Sequence, residues 1–129
     1  VTIGALVTKA VALRQRDPSA ALRLAQQAIE IEAEHLVMPA FRVIAGDLVA
    51  LVRADQHPED SARILGSGRG LRDRLGFAGL WWASELHEEA CLATQSRGID
   101  FDATYEQGKE LAASEVRRLV LATYEGSSV

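Results

Sequence analysis

Apolar residues recur along this chain at the three-and-four spacing of an α-helix, and no stretch keeps the two-residue alternation of a half-buried strand. Over residues 18–33, Ala21, Leu24, Ala25, Ala28 and Ile31 form one stripe. Phe41, Ile44, Ala45, Leu48 and Val52 repeat the pattern over 38–54, Ala83, Leu86, Ala90 and Ala93 over 80–95, and Val116, Leu119, Val120, Thr123 and Tyr124 over 114–124. Short polar breaks separate the stripes, near 15–18, 33–39, 54–60, 75–79, 96–100 and 112–114. Asp17 is a good N-cap, with Pro18 at the first helical position; Asp100 suits the same role before Phe101, and Ser114 before the last helix. These signals predict an all-α fold of six or seven helices.

Residues 64–76, ILGSGRGLRDRLG, place glycines at 66, 68 and 70. A phosphate loop needs Lys-Ser or Lys-Thr after its last glycine, whereas Gly70 is followed by Leu71 and Arg72. A dinucleotide fingerprint needs a preceding strand and different glycine spacing. Meanwhile Ile64, Leu65, Gly68, Leu71, Arg72 and Leu75 hold helical phase through the glycines. Each glycine costs a helix about 0.8–1 kcal/mol relative to alanine. Three in one helix therefore predict a surface pared down for close packing.

A repeat also shows. Pro18, Ala21, Leu24 and Ala25 are echoed by Pro58, Ala62, Leu65 and Gly66 at a spacing of about 41 residues. Helix-pair solenoids of the TPR and HEAT kinds have periods of ~34 to ~47 residues, each pair burying its apolar face against its neighbours. We therefore expect TPR-like stacked helical hairpins in a single domain over residues 1–129. The length suits one domain.

Charge narrows the function. With a net charge of −4, the chain lacks the concentrated Lys and Arg of a nucleic-acid binder. One cysteine, Cys91, makes no internal disulfide and no cysteine metal site. The opening VTIGALVTKAVALRQR is apolar, but Lys9 falls inside it and no small-residue cleavage site follows. No run reaches the ~18 apolar residues of a spanning helix. A soluble, cytoplasmic chain without membrane contact is expected.

Candidate sites are few. His87 and Cys91 share a helix face, yet a metal needs further ligands, and a buried cysteine beside a surface histidine is the commoner arrangement. Trp81 and Trp82 point about 100° apart on a helix; Trp82 lies with Leu86 and reads as core, whereas Trp81 sides with Glu85 and Glu88, half-buried or open to a partner. Arg63, Arg69, Arg72 and Arg74 make one helix locally basic. The simplest expectation is a solvated face with ion pairs to the acids of 85–89; a phosphorylated partner or nucleic acid is the alternative. No nucleophile–base pair, metal set or cofactor site emerges, so a non-enzymatic chain is expected. Trp81, Trp82, Tyr105, Arg69 and Arg72 remain as candidate interaction or ligand-lining residues.

From residue 61 onward the chain resembles a family. SARILGSGRGLRDRLGF and ACLATQSRGIDFDATYEQGKELAASEVRRLVLA are similar to the C-terminal helical segment of LuxR-type and AfsR-like signal-transduction ATPase regulators of bacteria, some of them fused to adenylate-cyclase domains. Ala62, Arg63, Ile64, Leu65 and Gly66 fit one motif; Phe101, Tyr105, Gly108, Leu111, Ser114, Glu115 and Val116 fit the other. The resemblance covers residues 61–122, about half the chain, while residues 1–55 suit the TPR-like pairs that precede such a segment. Gly68 and Gly70 depart from the alanines of the pattern. The Walker A motif, the cyclase residues and a basic recognition helix are missing from the sequence.

The resemblance implies a TPR-like interaction or sensor domain of a bacterial transcriptional regulator. Its partners would be a protein, other domains of the parent chain or a second copy of itself, without direct nucleic-acid binding by this segment. By the family's usual order a helix-turn-helix would follow residue 129. The missing initiating methionine and the ending TYEGSSV lead us to expect a piece of a larger protein. A stand-alone small protein holding an apolar ligand between its helices, lined by Trp81, Trp82 and Tyr105, is the alternative.

Overall fold

The computed structural model describes residues 3–34, 39–75 and 81–122; the side chains of some residues at helix ends, Trp81 and Trp82 among them, lie outside the description. Seven helices account for most of these residues: α1 (Ile3–Leu13), α2 (Pro18–Glu34), α3 (Pro39–Arg53), α4 (Pro58–Leu75), α5 (Trp81–Gln95), α6 (Phe101–Lys109) and α7 (Ala113–Leu121). There is no strand among them. The expected all-α architecture of stacked helical hairpins is what forms: α1 packs on α2 and α3, α2 on α3, α3 on α4 and α5, and α4 on α5 and α6. The apolar opening segment is core, for Leu6, Val7 and Ala10 of α1 are buried.

The stripes point inward as their spacing requires. Ala21, Ala25 and Ala28 of α2, Ile44, Ala45 and Leu48 of α3, Leu86 and Ala90 of α5, and Val120 of α7 are buried in one cluster. Leu24, Ile31, Val52, Val116 and Leu119 are partly buried against it. Phe41, Leu75, Ala83, Thr123 and Tyr124 carry side chains outside the described residues.

The first two hairpins share one design. In the first turn the N–H of Asp17 donates to the Leu13 carbonyl at 2.8 Å and that of Ala21 to Asp17 at 3.0 Å. In the second, His57 donates to Arg53 at 2.8 Å and Ser61 to His57 at 3.0 Å. Positions 17 and 57, and 21 and 61, thus correspond at a period of 40, one residue short of the spacing expected from the apolar match. In this register Ala21 and Ser61, Leu22 and Ala62, and Ala25 and Leu65 are buried pairs of equivalents. The Ser61 hydroxyl escapes the cost of burial by donating to the Ala50 carbonyl at 2.8 Å.

The glycines of α4 lie inside the helix, and the close approach they allow is to α6. A methyl group on Gly66 would run into the Tyr105 carbonyl, and one on Gly108 into the Arg63 carbonyl. The two helices therefore cross with one glycine from each meeting the other's backbone. At Gly70 a Cβ would stand 3.1 Å from the Lys109 carbonyl. Gly68 faces another way, where a Cβ would stand 3.2 Å from Val43 Cγ1 of α3.

Two caps stand as expected. The Asp17 carboxylate accepts from the Ala20 N–H at 3.1 Å, and that of Asp100 from the Ala103 N–H at 3.2 Å. Ser114 is not a cap: α7 begins earlier, its N-cap is Ala112 with extended backbone, and Ser114 is the second residue within the helix. Leu111 and Ala112 already supply the change of direction, so the serine is not needed for it.

Candidate functional site

Two neighbouring features stand out, a buried polar cluster and an open groove. In the repeat register Asp47 of α3 occupies the position of Val7 in α1, a core position, and it is buried, with 1% exposure. A lone carboxylate there would be costly, and it is surrounded by compensating groups. His87 of α5 donates from Nδ1 to Asp47 Oδ1 at 3.0 Å, and its Nε2 lies 3.0 Å from the Tyr105 hydroxyl of α6. Arg72 of α4 brings a guanidinium nitrogen to 3.5 Å from Asp47 Oδ2, a charge contact too long for a strong hydrogen bond. Side chains from α4 and α5 reach the carboxylate on α3, and α6 joins through His87.

Burial alone would push the imidazole toward its neutral form, but the hydrogen bond to Asp47 and the charge of that carboxylate, with Cys91 acting in the same direction, hold the His87 pKa up at about 9. At neutral pH His87 is therefore an imidazolium that donates to Asp47 and to Tyr105. Burial pushes the Tyr105 phenol up to about 12, so it stays protonated. With Nε2 occupied by Tyr105 and the ring 7% exposed, the imidazole faces its neighbours rather than solvent. This geometry serves to lock α3, α4, α5 and α6 in register.

Of the candidate residues, Tyr105 and Arg72 come together in this cluster. Arg69 does not join them: it is exposed and pairs with Asp73 one turn on, at 3.3 Å, a contact of small energetic weight. The side chains of Trp81 and Trp82, and so the pocket expected between them and Tyr105, lie outside the described residues. The ion pairs expected between the arginines of 63–74 and the acids of 85–89 do not form among the described residues. Arg63 turns to Glu59 and Asp60 on its own helix and Arg72 inward to Asp47, Arg74 donates to the Lys109 carbonyl, and Glu89 pairs with Arg14. Helical phase points Arg72 at α3, and nearer acids satisfy Arg63. The burial order of His87 and Cys91 is also the reverse of the expected one, with the histidine buried and the cysteine partly exposed.

The groove, of about 390 Å³, runs between α2, α3 and α4 on one side and α7 on the other. Ile29, Val43, Ile64, Leu71, Val116 and Val120 supply its apolar lining, and Arg42, Arg74 and Arg117 are its charged members, with no Asp or Glu among the described lining residues. Gly68 also lines it, and a Cβ there would stand 3.6 Å from Asp47 Oδ1, so the polar cluster lies directly behind this wall. The other wall is held from below. Arg53, 2% exposed and equivalent in the repeat to Leu13, donates to the carbonyls of Leu119 at 3.1 Å, Val120 at 3.4 Å and Ala122. The Gln26 amide adds a bond to the Val120 carbonyl at 3.0 Å. These carbonyls lie at the negative end of the α7 dipole, where a helix leaves carbonyls short of partners; that of Leu119 also accepts from the Ala122 N–H at 3.3 Å.

Asp47 and Arg53 were the residues that periodicity passed over. Their signal is the repeat itself, in which both replace an apolar residue of the first hairpin. Among the described residues no three His, Cys, Asp or Glu side chains gather as a metal would require, and no helix is long and apolar enough to cross a membrane. No family model, curated protein or solved structure matches the chain.

Proposed function

We propose that the chain is a non-enzymatic helical-repeat module that senses or docks a partner within a bacterial transcriptional regulator, acting in the cytoplasm. The observation that carries this reading is the groove walled by α7 on a repeated two-hairpin scaffold. A ligand that favours one seating of α7 over another would shift the population and pass that shift to attached domains. Among the described residues only Leu92 is a large, strongly exposed hydrophobic side chain, at 67%, and a single exposed leucine needs no partner. That directs attention to the groove rather than to an apolar outer face. The link to a regulator rests on the resemblance of residues 61–122.

The size of the native polypeptide tests this directly. An antibody against the domain should detect, in the source cells, a band several times larger than 14.0 kDa. A single band near 14 kDa with no larger precursor would contradict membership of a multidomain regulator. It would favour the second reading, a stand-alone helical protein that binds its ligand in the same groove.

A further inference from the structure

We infer that the groove between α4 and α7 takes an amphipathic anion: a small molecule with an apolar body and a carboxylate or comparable anionic head. This deepens the sensing role proposed above and rests on it, but it stands on features of its own. The cavity, at about 390 Å³, lies in the range typical of small-molecule sites and well above what a few ordered waters need. Its lining is divided by chemistry. Aliphatic side chains from α2, α3, α4 and α7 cover the interior, and the three ionisable residues among the described lining are all arginines.

In a chain of net charge −4, a lining whose described ionisable members are all arginines, with Arg74 and Arg117 exposed at its edge, is a local reversal of sign. Arginine is weakly hydrated, permanently charged and able to fork two donors onto one carboxylate, which suits the edge of an apolar cavity better than lysine. A neutral apolar ligand would leave this cationic edge unused, and a cationic one would be repelled by it. A polyanion such as nucleic acid would gain little from an interior built of isoleucine, valine and leucine. Arg74 and Arg117 are exposed in the free protein, so a ligand head reaches them without displacing a buried contact.

Decanoate below its micelle-forming concentration is the probe, with decanol and decyltrimethylammonium as neutral and cationic counterparts, titrated into the full chain by calorimetry. The expected result is one decanoate per chain, bound at least tenfold more tightly than decanol, with no saturable binding of the cation. Arg74→Gln combined with Arg117→Gln should weaken decanoate about tenfold and leave decanol unchanged. Ala113→Trp, at an exposed position on the groove wall, should abolish decanoate binding while far-ultraviolet circular dichroism stays that of the parent. Equal binding of decanoate and decanol, insensitivity to the double arginine variant, or no saturable binding would each overturn the assignment. So would binding only to phosphatidylglycerol vesicles without response to soluble decanoate, which would indicate a membrane surface instead. None of these outcomes alters the native size of the polypeptide, so failure here is distinct from failure of the regulator reading.

Discussion

At the scale of single residues, the most informative one is His87. Its pKa is held at about 9 against an ordinary 6.5, so it is protonated in the folded chain over a range where it is neutral in the unfolded chain. The stabilisation it brings is complete below pH 6.5 and is lost as pH rises through about 9. Two and a half units correspond to about 3 kcal/mol at 1.36 kcal/mol per unit. Urea unfolding at pH 6.5 and pH 9.5 should therefore show a fall of that order in the parent chain, and a much smaller fall in His87→Gln. Parallel pH dependence in the two proteins would mean that no buried imidazolium is paired with Asp47. Asp47 itself lies on the apolar face of α3, and nothing in helical periodicity marks it as buried. A stripe-based reading assigns an aspartate to the solvent side, and only the correspondence with Val7 reveals that this position faces the core.

At the scale of elements, the glycines of α4 separate two effects that usually travel together. Replacing Gly66 or Gly68 with alanine brings the same gain in helix propensity, about 1 kcal/mol. The surroundings differ: at Gly66 the new methyl meets the Tyr105 backbone, which has no rotamer to change, whereas at Gly68 it meets the end of a valine side chain. Gly66→Ala and Gly108→Ala should each cost about 3 kcal/mol or more, or prevent folding, because one helix must lift off the other. Gly68→Ala should stay within about 1 kcal/mol of the parent. Thermal and urea unfolding of the three variants check this, and equal losses at positions 66 and 68 would rule out the glycine crossing. The sequence marked α4 as a helix thinned for packing, since three glycines in helical phase are hard to explain otherwise. It did not identify α6 as the partner, because Gly108 is a solitary glycine in a short helix and the α4–α6 contact joins segments forty residues apart.

At the scale of the whole molecule, the all-α class, the hairpin stacking and most helix boundaries were legible, because stripes, prolines and caps are local signals. The repeat was legible too, though one residue out of register, since apolar matching paired Ala21 with Ala62 where the backbone pairs it with Ser61. The groove was not. It depends on where α7 lands, and that placement is set by Arg53 capturing the carbonyls of Leu119, Val120 and Ala122, a long-range contact between an arginine and backbone atoms. Side-chain type carries no code for such a contact. The candidate residues divided for the same reason: helical phase brought Arg72 and Tyr105 inward and left Arg69 in solvent.

Amide hydrogen exchange measured with and without saturating decanoate tests whether this scaffold senses through the groove under α7. Exchange should slow most over residues 114–121 of α7 and 64–74 of α4, which wall the groove, and least in α1, which does not touch it. Slowing that is absent, or that is centred on α1 or α5, would contradict the claim and place any ligand response elsewhere in the molecule.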